Sequence, residues 1–303
     1  MMSQSVSDAI VRVIAYCDYF KYPLTSEEIR CMLAVPCRDT KQLEAALNQW
    51  CAEGEIICRD GYYCFTDHTT DIVNKRLEDE KRAAPLKAKA ERIARWMAFI
   101  PFVRGVLLTG SLSKNVADAS DDIDYLIIVP HGRVWLVRTL FTVIKKIFLL
   151  NDNDNFCVNY ILAEDGLEIP FKSYYTAYET ATVKMLWNAK ALDRFQENNR
   201  WIHDFLPNWK FPSHPSKSEA NPSYVQRFLE WVCFPLVIPG MDTFLRRIWD
   251  KIWKWRHPEL QQSQRDKLFS TTDQASSRWN IDYGALIEAH IEQRLQRKQN
   301  LAG

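Results

Sequence analysis

A chain of 303 residues exceeds one ordinary small domain and suits two or three units of about 100 residues each. Its 47% apolar and 25% charged content is that of a soluble globular protein with ample core-forming material. A net charge of +1 excludes a global electrostatic case for nucleic-acid or membrane partners.

The N-terminus, MMSQSVSDAI, has neither the basic n-region nor the apolar h-region of a signal peptide. The longest uncharged apolar stretch, Trp231 to Met241, is eleven residues long and holds two prolines, so it cannot span a bilayer. A cytoplasmic protein without a transmembrane segment is expected. Six of the eight cysteines (Cys17, Cys31, Cys37, Cys51, Cys58, Cys64) lie in the first 64 residues, which invites a zinc reading. No pair is spaced CxxC, and His68 is the only nearby histidine. They read as reduced core thiols instead.

Residues 1–82 read as three helices and a β-hairpin. Val6 to Tyr19 carries apolar residues at helical spacing, and Thr25 with Glu28 makes a capping box that opens a second helix. Lys41 to Ala52 places Leu43, Leu47 and Trp50 on one face. Ile56 to Cys58 and Tyr62 to Phe65 flank Arg59-Asp60-Gly61, whose Asp-Gly pair is a hairpin-turn signal. This order resembles a winged helix-turn-helix domain, a fold often used to bind DNA. The charges argue otherwise. Residues 1 to 80 carry a balance of −6, fourteen Asp and Glu against eight Lys and Arg. Without clustered cations there is no counterion release to drive affinity for a DNA backbone. Protein contacts or internal packing are expected of this domain, and DNA binding is disfavoured.

Residues 83–173 carry the chemistry. Leu86, Ala90, Ile93 and Met97 mark one helix face that stops near Pro101. A short buried strand, Gly105 to Leu108, runs into Thr109-Gly110-Ser111, and a polar loop leads to Asp121-Asp122-Ile123-Asp124 and the apolar strand Tyr125 to Val129. Arg133 to Leu150 is a helix, and Phe156 to Ala163, Glu164-Asp165-Gly166 and Leu167 to Phe171 read as a hairpin.

The segment GSLSKNVADASDDIDYLIIV resembles the signature of the minimal nucleotidyltransferases of the DNA polymerase β-like superfamily. That signature is a Gly-Ser pair, a loop of about ten residues, and Asp-x-Asp running into a hydrophobic strand. The close match covers about twenty residues, and the surrounding element order about ninety. The resemblance implies transfer of a nucleoside monophosphate from an NTP, ATP in the first instance, to an acceptor with release of pyrophosphate. It implies that Asp122 and Asp124 are catalytic and hold Mg²⁺ or Mn²⁺, and that Gly110 and Ser111 bind the triphosphate. The family's third acidic position falls on Asn159, which can ligate a cation through its carbonyl but brings no charge.

Elementary chemistry agrees with the motif. Residues i and i+2 of a strand share a face, so Asp122 and Asp124 can converge. Adjacent carboxylates repel unless a cation neutralises them, and hard oxygen ligands with phosphate substrates favour Mg²⁺ or Mn²⁺. Gly110 lets backbone approach a phosphate, Ser111 offers an N–H and a hydroxyl, and Lys114 can add positive charge at the leaving pyrophosphate. Glu164, Asp165 and Glu168 are potential substitutes for the third acid, although their turn position favours plain solvation. Arg133 and Arg138 read as structural rather than triphosphate-binding.

Residues 174–303 read as a helical C-terminal region, divided by a polar linker from Pro212 to Pro222. Asn199, Trp201 and Asn208 are candidate substrate contacts, with capping and packing the commoner use of such residues. Phe244, Ile248, Ile252 and Trp255 line one face of a helix whose other face holds Arg247, Lys251 and Lys254. The pattern fits an interfacial membrane helix and equally a core helix with a charged outer face; within a folded region the core reading is expected. The sequence therefore predicts a three-part α+β protein: winged helix-turn-helix, polymerase β-like nucleotidyltransferase mixed sheet with helices, helical C-terminal region. Two alternatives to the enzyme remain, a non-catalytic nucleotide-binding or regulatory protein on the same fold and a winged-helix transcriptional regulator.

Overall fold

Local signals dictate the first six elements. They are α1 (Val6–Asp18), β1 (Leu24–Thr25), α2 (Ser26–Met32), α3 (Thr40–Ala52), β2 (Ile56–Arg59) and β3 (Tyr62–Phe65) in a computed structural model of the chain. The structure describes residues 6–68, 71–118, 121–148, 156–212, 221–262, 264–265, 269–277 and 283–301. The capping box forms as expected: the Thr25 hydroxyl accepts from the Glu28 N–H, and the Thr25 N–H donates to Glu28 Oε2 at 2.8 Å. Asp60 and Gly61 both take positive φ, 51° and 80°, the backbone a two-residue type I′ hairpin requires. The hairpin pairs β2 with β3, and β1 adds to the other side of β3.

The boundary drawn at residues 82 and 83 falls inside one unbroken helix, α4 (Asp71–Met97). Its N-terminal half belongs to the first unit through Arg76. That buried guanidinium pairs with Glu28 at 2.9 Å and Glu80 at 2.7 Å, and lies 3.7 Å from the centre of the Tyr22 ring. Its C-terminal half packs Ala90, Ala94 and Met97 on the central sheet.

That sheet contains β4 (Gly105–Leu108), β5 (Asp124–Val129), β6 (Cys157–Ala163), β7 (Lys184–Trp187) and β8 (Ala275–Ser277), in the order β7-β4-β5-β6-β8 among the described residues. β5 and β6 are parallel and joined through α6 (Val134–Phe148), as a parallel pair requires a crossover. Side chains alternate: Tyr125, Ile127 and Val129 face α4 and α6, whereas Leu126 and Ile128 face Leu192 and Phe195 of α8 (Ala189–Asn198).

Three expectations need correction. Residues 167–171 form no strand; the antiparallel neighbour of β6 is β8, more than a hundred residues later. The helical region 174–303 is not a separate layer, because it supplies both edge strands of the sheet besides α7 (Tyr174–Ala181), α8, α9 (Tyr224–Val232), α10 (Met241–Arg256) and α11 (Tyr283–Leu301). The third concerns α10. Its packed side is Leu245, Trp249, Ile252 and Trp253, while Phe244, Ile248 and Trp255 are exposed. Trp253 closes on Trp135 and Phe269 with ring centroids 5.7 and 5.2 Å apart, and those large rings outcompete the face read from the sequence.

Asn199 and Asn208 are structural. Buried Asn199 accepts from the Ile169 N–H and donates to Leu167 O and Phe195 O. Asn208 accepts from the Cys37 N–H at 2.7 Å and donates to Val35 O, and Trp201 donates its indole N–H to Asn199. Most of the 212–222 linker lies outside the described residues. α11 returns to α1, where nearly buried Asp18 pairs with His68, with His290 at 2.6 Å and with Arg294 at 2.7 Å.

Candidate active site

Asp124 is the first residue of β5, and Asp122 lies two residues before it, just ahead of the strand. β6 runs alongside with a defect. Asp124 faces Cys157 and Tyr125 faces Val158, then the register shifts so that Leu126 faces Tyr160. Asn159 is the extra residue of that bulge, a device that re-aims a side chain. Its Nδ2 donates to Asp124 Oδ1 at 2.5 Å, and its Oδ1 accepts from the Cys157 thiol at 3.3 Å. The third position assigned by strand counting thus touches the carboxylate it was expected to assist.

The Gly-Ser turn closes over the same group. Gly110 opens the one-turn helix α5 (Gly110–Ser113) with φ of 70°. A Cβ built on it would fall well inside van der Waals contact with Asp124 Oδ2 and 3.1 Å from the carboxyl carbon. The Thr109 N–H donates to Asp124 O at 3.0 Å, holding the turn on the strand. Ser111 Oγ donates to Asp121 Oδ2 at 2.7 Å, and that oxygen also accepts the Asp118 N–H at 2.9 Å. In this arrangement the Ser111 hydroxyl closes its own loop. Lys114 pairs with Glu179 of α7 at 2.8 Å and donates to Gly110 O at 3.2 Å.

Two further cations arrive from elements that sequence reasoning did not connect. Lys87 of α4 and Lys184 of β7 both donate to Oδ1 of Asn115, the latter at 2.6 Å. Burial, then the neighbouring charges of Lys87 and Lys114, push the Lys184 ammonium down to about 8. Burial also lowers Lys87. Three lysines therefore crowd one side of the 110–115 turn. No signal in the sequence joins them, since Lys87 and Lys184 are brought together only by an edge strand docking beside a helix.

The acidic side is equally unbalanced. Burial, then the charge of Asp122, push the Asp124 carboxyl up to about 7; Glu179 adds to this, while the Cys157 hydrogen bond and Lys114 oppose it. Burial, then Tyr19 and the charges of Asp121 and Asp124, raise the Tyr283 phenol at the start of α11. Tyr283 meets Phe20 and Tyr175 with ring centroids 6.1 and 6.2 Å apart, which joins the last helix to the first unit.

The substitutes for a third acid are elsewhere. The Glu164 N–H donates to Val129 O at the far end of β5, roughly 17 Å along the strand at about 3.3 Å per residue. Glu164 pairs with Arg194, Asp165 with His131 and Glu168 with Lys172. Arg138 is buried and donates to Val158 O, Asn159 O and Ser276, stitching β6 to β8 behind the site. Arg133 donates to Gly132 O and lies over the Phe102 ring. A cavity of about 320 Å³ near Arg104, Lys190 and Arg194 opens at the Ile128 end of the sheet, away from Asp124.

Asp122 and Asp124 bring two carboxylates to the start of β5, while Asn159 turns its amide N–H toward Asp124 and its amide oxygen toward Cys157. Among the described residues no group of three or more His, Cys, Asp or Glu could hold a metal ion. No family model matches the chain, and neither a curated protein nor a solved structure matches it significantly.

Proposed function

We propose that the protein is a nucleotidyltransferase of the DNA polymerase β-like type, preceded by a winged helix. The observation that carries this reading is the closure of Gly110 over Asp124, with Asn159 of the neighbouring parallel strand bonded to the same carboxylate. The turn sets glycine's positive φ against a half-buried carboxylate fourteen residues later, an arrangement that suits a phosphate-binding turn beside a cation site.

Asp122 and Asp124 would hold one Mg²⁺ or Mn²⁺ together with a nucleotide's phosphates. Burial, then the neighbouring charge of Asp122, let Asp124 hold its proton up to about pH 7. A bound cation would neutralise the carboxylates and draw charge from the phosphate oxygens. The protein's own part is positioning. Gly110 leaves room for the Asp124 carboxylate beneath the turn, and Lys87, Lys114 and Lys184 offset the charge of the departing pyrophosphate. The acceptor hydroxyl forms a bond to the α-phosphorus as the α–β bridging bond breaks, and its proton leaves to water. Asn159 cannot take that proton, nor add charge for a second cation.

Asn159 also favours a second reading, a nucleotide-binding module that transfers slowly or not at all. Calorimetric titration of a non-hydrolysable ATP analogue with Mn²⁺ tests the site common to both. Asp122→Asn and Asp124→Asn should each weaken binding at least tenfold, about 1.4 kcal/mol. Unchanged affinity in both variants ends the assignment. Incubation with each α-labelled NTP in a lysate then separates enzyme from binding module.

A further inference from the structure

α10 is not alone in leaving large apolar side chains outside the core: α9 and the turn between them do so too. α9 is firmly seated: Gln226 is fully buried and donates to Ile100 O and Val103 O, while Glu230 accepts from the Phe102 N–H and pairs with Arg104. α10 is pinned by Asp242, which accepts from the Trp135 and Leu136 N–H groups, and by Trp249, which donates to Thr139. Ordered helices held this way still expose large apolar side chains. Tyr224, Phe228 and Trp231 of α9 are 91%, 60% and 71% exposed, and Trp255 of α10 is 81% exposed. Phe234 and Ile238, between the helices, are exposed as well.

The arrangement on α10 is ordered. At about 100° per residue, Phe244, Ile248 and Trp255 fall within about 40° of one another, and Lys251, Arg247 and Lys254 occupy the next strip around the helix. On α9 the same geometry sets Arg227 beside Tyr224, Phe228 and Trp231. The acids of the segment are already engaged: Glu230 by Arg104, Asp242 by backbone N–H groups, Asp250 by Lys254 at 2.8 Å. Arg227, Arg247, Lys251 and Arg256 make no ion pair among the described residues. Trp96 and Phe99, exposed at the end of α4, lead directly into the 100–103 segment that holds α9.

We propose that the outer face of α9, α10 and their connecting turn docks in the plane of a lipid bilayer bearing anionic headgroups. Aromatic side chains enter the headgroup boundary, and the flanking cations meet the lipid phosphates. Charge selects this occupant over a second copy of the chain. A symmetric pairing of the face would set Arg247 and Lys251 against the same cations, with no unpaired acid of α9 or α10 among the described residues to answer them. The docking is peripheral: among the described residues no helix is long and apolar enough to cross a membrane.

Flotation of the full chain tests the proposal, using vesicles of phosphatidylcholine alone and of equal parts phosphatidylcholine and phosphatidylglycerol. The protein should float with the mixed vesicles at low salt and be largely released at high salt. Trp231→Ser combined with Trp255→Ser should cut the bound fraction at least tenfold. Arg247→Gln with Lys251→Gln should remove the preference for the anionic vesicles. All four side chains are exposed, and unchanged circular dichroism checks that the fold is retained. Equal, negligible flotation of wild type and variants overturns the proposal. So does a wild-type dimer in sedimentation that the tryptophan pair dissociates, since the face would then belong to a protein interface.

Discussion

Replacing Gly110 by Ala gives the sharpest test of the site geometry. An L-residue at φ of 70° costs about 1–2 kcal/mol in the left-handed region. The new Cβ would also overlap Asp124 Oδ2, and that carboxylate cannot swing away without stretching its bond from Asn159 Nδ2. Above about pH 7, where Asp124 is ionised, a hydrogen bond to the charged acceptor is worth about 1.5–3 kcal/mol, so the total loss there should be about 3 kcal/mol. In a cooperative unit of this size that lowers Tm by about 6–12 °C. The backbone and carboxylate contributions separate in a double-mutant cycle with Asp124→Ala. With the carboxylate gone, Gly110→Ala should cost only its backbone share, leaving a coupling of about 1–2 kcal/mol. Urea unfolding of the four proteins provides the measurement. Additivity within about 0.5 kcal/mol would mean that Gly110 does not cover Asp124, and the proposed phosphate turn would fall with it.

Three further outcomes follow from the same residues. Because the folded Asp124 holds a proton that the unfolded chain has already lost, metal-free stability should fall as pH rises from about 4 to about 7 and then level off. At about 1.4 kcal/mol per pH unit across that window the loss has a ceiling of about 4 kcal/mol, reduced to about 2 for a carboxylate that still meets some solvent. Asp124→Asn should abolish the fall in chelator-treated thermal scans, and an identical pH profile would show that Asp124 is not the source. Asn159→Asp should raise nucleotide transfer at least tenfold, about 1.4 kcal/mol of barrier, while weakening the metal-free fold; a variant no faster than an already efficient wild type would show that Asn159 is no handicap. The full chain should bind duplex DNA no better than a generic acidic protein at physiological salt, and a sub-micromolar, steeply salt-dependent anisotropy titration would reverse that reading.

By itself the sequence determined the elements whose signals are local. The Thr25–Glu28 capping box, the Asp60-Gly61 turn, the strands at 105–108 and 124–129 and the helix at 134–148 all lie where their residues put them. Each depends on interactions within a few residues, so nothing distant can override it cheaply. The Gly110–Asp124 juxtaposition was legible through the resemblance of the 110–129 segment to a nucleotidyltransferase signature.

Tertiary structure decided what depends on distant partners. β7 and β8 complete the sheet from segments that read as part of a helical region, because an edge needs only three or four residues of backbone to pair. Lys87 and Lys184 meet at Asn115 only after β7 docks beside α4, and no periodicity encodes that meeting. Asn159 reaches Asp124 through a bulge, an offset that counting along a regular strand does not contain. The outward face of α10 was decided the same way. Its apolar residues spread over about half of the circumference, so the pocket offered by Trp135 and Phe269, not the helix's own pattern, chose Trp253 for the core and left Trp255 outside.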